Sequence, residues 1–322
     1  MLTCFLLGLA LGSFLCSRLF LKRIKNLVFA LGLVELLIAL SAFVSVPLIG
    51  KLWHIDYAMV WRLRAGSFWA DVLAQFIDAS LILLIPTMLM GTAFPIAVKA
   101  CAESSKAVGR RVGEVYASNT VGCVIGSFAA GFVMVPLLGL RDSLLVLVVV
   151  LLLLGVVVIS LSERSRARLA PLAGAFSLVI ILIGYLSIPR DVFLRTMNTY
   201  HYPSKIVYIK DDATGTVTVH DLPDGDRLIA VDGVDVAGMD FMLRTTQKLQ
   251  GYVPLLAHDN PKKALQIGFG SGETSGVGLG FGVEEYNIVE ICPGVFDAGK
   301  FFEKINRGSY HRPTTPATPA AR

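Results

Sequence analysis

Apolar residues run almost unbroken through the first 190 positions and then give way to short alternating stretches. Six segments, 1–21, 27–50, 72–98, 115–140, 143–161 and 171–188, approach the roughly 20 mainly apolar residues that a helix needs to cross a bilayer. The first could be taken for a cleaved leader, but its charges (Arg18, Lys22, Arg23, Lys25) follow the apolar run instead of preceding it, so it reads as a span. After Pro189 the period falls to two. KIVYIK (205–210), TVTVH (216–220) and RLIAVDG (227–233) read as strands, and Asp224-Gly225 in DLPDGD marks a hairpin, so a small antiparallel sheet is expected. Met242, Leu243, Leu249, Val253, Leu255 and Leu256 give residues 240–257 a helical pattern that stops before the breaker Asn260-Pro261.

Composition sharpens the division. Only 16% of residues are charged, against about a quarter in soluble domains, and 54% are hydrophobic. Residues 1–189 hold 15 Lys and Arg against 8 Asp and Glu, whereas residues 190–322 hold 14 against 16. The basic excess therefore flanks the membrane segments, and no basic patch interleaved with aromatics points to nucleic acid. Dense positive clusters at 22–25, 99–111 and 164–168 place those loops in the cytoplasm of a multi-pass inner-membrane protein. The side occupied by residues after Pro189 turns on whether 171–188 crosses completely. Cys4, Cys16, Cys101, Cys123 and Cys292 lack metal or disulfide spacing and read as small hydrophobes, and no metal is expected. The five histidines are equally scattered.

Within the apolar part, Gly8 and Gly12, and Ser118, Gly122 and Gly126, recur at the spacing that lets membrane helices approach closely. Pro47, Pro86, Pro95 and Pro136 are expected to kink or end spans, which bundles tolerate where neighbours satisfy the freed carbonyls. Glu35 and Asn119 are polar at membrane depth and are functional candidates on that ground, with Asp78 as a partner for Glu35. Trp53, Tyr57, Trp61 and Trp69 read as interfacial anchors.

The chemistry of the second part centres on ALQIGFGSGETS, residues 264–275. A short strand runs into Gly268, Gly270 and Gly272, then a helix, then a second strand, EEYNIVE, ending at Glu290. Glycines accept positive φ and let a ligand approach the backbone, and the helix start offers free N–H groups. An acid eighteen residues after Gly272 stands where it could accept hydrogen bonds from ribose hydroxyls. A nucleoside site is expected. The spacing departs from the dinucleotide fingerprint, because Glu273, Thr274 and Ser275 follow Gly272, and matches the adenosylmethionine loop of class I methyltransferases and aminopropyltransferases.

The blocks PTMLMGTAFPIAVKA (86–100), GEVYASNTVGCVIGSFAAGFVMVPLLGLR (113–141) and VDGVDVAGMD…TTQKLQGYVPLLAHDNPKKALQIGFGSGETSGVGLG…NIVEI (231–291), in this order, resemble the fused major-facilitator-type/spermidine synthase membrane proteins. The resemblance implies a multi-span helical membrane domain (1–189), a small antiparallel β-domain (190–239), an incomplete Rossmann-like domain (240–306) and a disordered tail (307–322). It implies aminopropyl transfer from decarboxylated S-adenosylmethionine to putrescine, with Gly268, Gly270, Ser271 and Gly272 on the methionine-derived end of the cofactor and Glu290 on its ribose. Two departures stand out. The family's loop carries an Asp where this chain has Ser271, and the Gln that follows its Asp-Gly is replaced by Val234, Asp235 and Val236. The family's catalytic Asp would lie past the helix at 293–306, beyond Arg322, and family members begin with a further span, so the chain reads as truncated at both ends and inactive by itself. S-adenosylmethionine-dependent methyl transfer, and transport by the helical part with a regulatory tail, are the alternative expectations. The lipid bilayer is the expected partner, and homo-oligomerisation is open to it.

Overall fold

In the computed structural model, residues 1–55, 67–102, 108–162, 170–188, 192–193 and 204–309 are described. Helices dominate: α1 (Leu2–Leu15, prolonged by a π turn, Cys16–Phe20), α2 (Leu27–Gly50), α3 (Leu52–Ile55), α4 (Phe68–Ala102), α5 (Val108–Phe128), α6 (Val135–Ser160) and α7 (Ala170–Ser187). Met1–Ala130 with Leu140–Thr196 form one compact unit, and Gly131–Gly139 with Met197–Arg322 the other.

Four helical stretches among the described residues are long and apolar enough to cross a membrane: Leu2–Phe20, Leu27–Gly50, Phe68–Ala102 and Val108–Ser160. The fourth carries both of the separate spans expected at 115–140 and 143–161. Its break falls at Gly139, whose φ of 77° and ψ of 168° leave the helical region. The segment expected at 171–188 forms α7, whose apolar Pro171–Ser187 is shorter than the others.

The glycines of GLALG do what their spacing suggests. A Cβ on Gly8 would collide with the Thr87 side chain, and one on Gly12 with the Met88 carbonyl, so α1 and α4 meet backbone to backbone. Gly122 and Gly126 on α5 differ: a Cβ there would meet nothing within 4 Å among the described residues. Pro47, Pro86 and Pro95 lie inside helices without ending them. Pro86 offers no N–H to the Ile82 carbonyl four residues earlier, and the Ser45 hydroxyl of α2 donates to that oxygen instead, at 3.3 Å. Arg141, buried, spans two elements, donating to the Ile188 carbonyl (2.7 Å) after α7 and to Asp142 (2.6 Å).

The second unit holds a four-stranded antiparallel sheet in the order β1 (Lys205–Asp212), β2 (Gly215–Asp221), β3 (Arg227–Val231), β4 (Val234–Gly238). The β2–β3 hairpin turns at Asp224-Gly225 as expected, with Gly225 at φ 89°. The strand expected at 227–233 is shorter. Asp232 (φ 52°) and Gly233 (φ 79°) form a two-residue turn with both φ positive, the hairpin geometry that Asp-Gly favours, and β4 returns from it. Then follow α8 (Phe241–Ala257), β5 (Lys263–Ile267), α9 (Glu273–Phe281), β6 (Glu285–Val289), α10 (Pro293–Ala298), a 3-10 turn (Gly299–Phe302) and α11 (Glu303–Asn306). Asp240 caps α8, accepting from the Met242 and Leu243 amides. β5 and β6 pair in parallel, with α9 as their crossover.

One core joins these pieces: Val217, Val219 and Ile229 of the antiparallel sheet pack with Phe269, Val295, Ala298 and Phe302. A smaller cluster, Leu255, Val277, Val283 and Tyr286, seats α8 and α9 on β6. The expected disordered tail is corrected at its start. Residues 307–309 are ordered, and Ser309 is buried with its hydroxyl accepting from Ser275 (2.8 Å). The rest of that expected tail, 310–322, lies outside the described residues, as do Tyr57 and Trp61.

Candidate functional site

A parallel β-α-β unit leaves its ligand-binding crevice at the carboxyl ends of its strands, and there the chain makes its tightest turn. Gly268, Gly270 and Gly272 take φ of 87°, 59° and 81°, all left-handed, in strict alternation. A side chain at any of the three would be strained. They differ in what they face. A Cβ on Gly268 would enter open space, one on Gly270 would lie 3.1 Å from Ala237 Cβ, and one on Gly272 would strike the Phe269 ring and Asn306.

Glu290 closes the turn from the neighbouring strand. Its Oε2 accepts the Phe269 amide (2.7 Å) and its Oε1 the Cys292 amide (2.9 Å), so the carboxylate bridges the ends of β5 and β6. It remains half-buried and lines a cleft of about 390 Å³ with Gly268, Gly270, Gln247, Gln250 and Thr274. Thr214, Val236, Ala237, Cys292 and Val295 complete the wall from the antiparallel sheet and α10. Its size falls within the range of small-molecule pockets.

Two of the expected contact residues stand behind this lining. Ser271 is fully buried and its hydroxyl donates to Gln247 Oε1. Gly272 is buried at the start of α9. The start of that helix also differs from the expected open cluster of N–H groups. Glu273 occupies its first position, 2% exposed, and is held by Arg244 (3.0 Å) and Lys248 (3.8 Å) from α8. The helix carries its own anion there, which leaves little for a phosphate to gain.

Sequence reasoning passed over α8 as a source of site residues. Arg244, Gln247, Lys248 and Gly251 recur at i, i+3, i+4 and i+7, a stripe of polar or small residues on one helix face. That stripe is the face laid on α9, where Thr274 also donates to the Gln247 carbonyl (2.9 Å) and Gly251 lets Val277 approach. The periodicity was legible; only its meaning needed the fold.

Behind Cys292 lies Asp212 at the end of β1. It accepts from the Thr214 amide (2.8 Å) and hydroxyl (2.5 Å), the Cys292 thiol (3.5 Å) and the Gly294 amide (3.3 Å). Burial raises its carboxyl, but these donors outweigh burial and hold it below the usual carboxylate range. Burial also pushes the Cys292 thiol up and, with nearby negative charge, the Tyr208 phenol up to about 12, so both stay protonated near neutrality. The stabilisation from Asp212 is therefore fully present above the ordinary value of 3.8 and is lost as pH falls through the lowered native value. Asp212→Asn is expected to lower the urea midpoint of the second unit at pH 6, with the gap to wild type narrowing toward pH 3. A gap that widens on acidification would contradict this.

The membrane candidates do not converge on this cleft. Glu35 is half-buried on α2 and, among the described residues, has no hydrogen bond or ion pair. Asn119 is exposed on α5, and Asp78 is buried on α4. His220 is an ordinary buried sheet histidine between Thr218 (2.8 Å) and Ser204 (3.2 Å). No protein-family model, curated protein or solved structure matches the chain.

Proposed function

We propose that the protein is a membrane-embedded relative of the spermidine synthases, whose second unit is a Rossmann-like module built to hold an adenosine-type nucleoside. One observation carries the reading: three alternating left-handed glycines end β5 beside a cleft whose single carboxylate, Glu290, bridges the two strand ends. Backbone without side chains admits a ligand closely, and a fixed carboxylate with spare lone pairs suits a ribose diol. The buried Glu273 at the start of α9 favours a nucleoside without phosphates over a dinucleotide.

Aminopropyl transfer from decarboxylated S-adenosylmethionine to putrescine belongs to the complete family form. For residues 1–322 the reading is binding without turnover, since the family's acid has no counterpart among them. Methyl transfer from S-adenosylmethionine is the second reading, favoured by Ser271, whose hydroxyl is committed to Gln247 where the family presents an amine-binding carboxylate.

Equilibrium dialysis of the full chain in detergent with labelled adenosine-type ligands tests the proposal. Saturable binding is expected, weakened at least about tenfold, or 1.4 kcal/mol, in Glu290→Ala. Binding that ignores this substitution would count against the site, and labelled spermidine formed from putrescine would overturn the assignment of binding alone.

A further inference from the structure

The walls of the cleft say which charge its occupant carries. Among the described lining residues Glu290 is the one carboxylate, and Lys, Arg and His are absent. Both Glu290 oxygens already accept a backbone amide, and their remaining lone pairs suit hydroxyl donors. The nearest polar group that could greet an ammonium is closed off. Ser271 donates to Gln247 Oε1, while Gln247 Nε2 donates to the Gly238 (3.0 Å) and Leu243 (3.1 Å) carbonyls, so the whole amide is used within the protein. Asp212 sits one layer back, its oxygens taken by Thr214, Cys292 and Gly294. The cations closest in sequence, Arg244 and Lys248, turn to Glu273 and leave nothing for a carboxylate ligand.

A cleft so lined offers hydrogen bonds and apolar wall (Val236, Ile267, Ile291, Val295) but no uncommitted charge. An ammonium or carboxylate drawn from water into it would lose hydration without a counter-ion, which costs far more than burying an alkyl group. Resting on the nucleoside reading above, we propose that the cleft selects an uncharged nucleoside, adenosine or a 5′-alkylthio ether of it, over charged sulfonium nucleosides. Glu290 takes the ribose hydroxyls, and the alkylthio tail lies on the aliphatic wall.

Isothermal titration of the full chain with four probes tests this: adenosine, 5′-methylthioadenosine, S-adenosylmethionine and its decarboxylated form. The dissociation constant for 5′-methylthioadenosine is expected to be at least about tenfold below that of either sulfonium. It is also expected to move less than about twofold between 0.05 and 0.5 M salt, because a neutral ligand leaves little for ions to screen. A sulfonium that binds as tightly as the thioether overturns the inference while leaving the nucleoside site standing. Silence toward all four probes removes both.

Discussion

Gly272→Ala is expected to destabilise the second unit by about 3 to 4 kcal/mol, a large share of the 5–15 kcal/mol that folds a typical domain. Two costs add. At φ 81° a Cβ brings roughly 1–2 kcal/mol of left-handed strain. That Cβ would also lie 2.5 Å from Phe269 Cζ and 2.8 Å from Asn306 Cβ, and overpacking of this kind costs about 1–3 kcal/mol. Neither neighbour can move freely: Phe269 is stacked on Phe296 at 4.6 Å, and Asn306 donates to the Ser271 and Gly299 carbonyls. Gly268→Ala is the control. Its φ of 87° carries the same strain, but its Cβ would enter open space, so only about 1–2 kcal/mol is expected. Cys292, 4% exposed, supplies the readout: alkylation of its thiol along a urea titration, located by mass spectrometry, reports opening of this unit. Equal midpoints for the two variants would refute the difference in packing.

The second large effect is an asymmetry between partners. Arg244→Ala is expected to cost about 3 kcal/mol, because it leaves the Glu273 carboxylate buried with Lys248 at 3.8 Å as its remaining cation. Glu273→Gln should cost about 1 kcal/mol, since the Arg244 side chain, 37% exposed, can turn its guanidinium to water. The double variant should recover most of the Arg244→Ala loss, which a cycle of urea midpoints measures. If Glu273→Gln proves the more damaging, the carboxylate is contributing more than charge balance at the start of α9.

How much of this was legible in the sequence depends on whether the deciding contact was local. The membrane segments, the β2–β3 turn and the glycine alternation are local, since apolar run length, Asp-Gly chemistry and glycine's φ range act within a few residues. β4 was lost because Asp232-Gly233 was read as the end of a strand, although the same dipeptide had already been taken as a turn at Asp224-Gly225. The small-residue spacing of Gly8 and Gly12 and that of Gly122 and Gly126 look alike, yet only the first pair is covered among the described residues. Spacing marks a face that could be approached closely and does not say what approaches it. The same limit applies to Gln247 and Glu273. Their roles come from α8 crossing α9, a contact between positions about 25 residues apart that no periodicity encodes. Ser309, expected in a tail, is buried because the turn after α11 brings it back to Ser275.

That the cleft beside Gly268 and Glu290 is where the protein meets its ligand is tested most directly by hydrogen–deuterium exchange of the full chain with and without 5′-methylthioadenosine. Slowed exchange confined to residues 268–272 and 290–292 is the expected result. Saturable binding that leaves these amides unchanged and protects another part of the chain would contradict it.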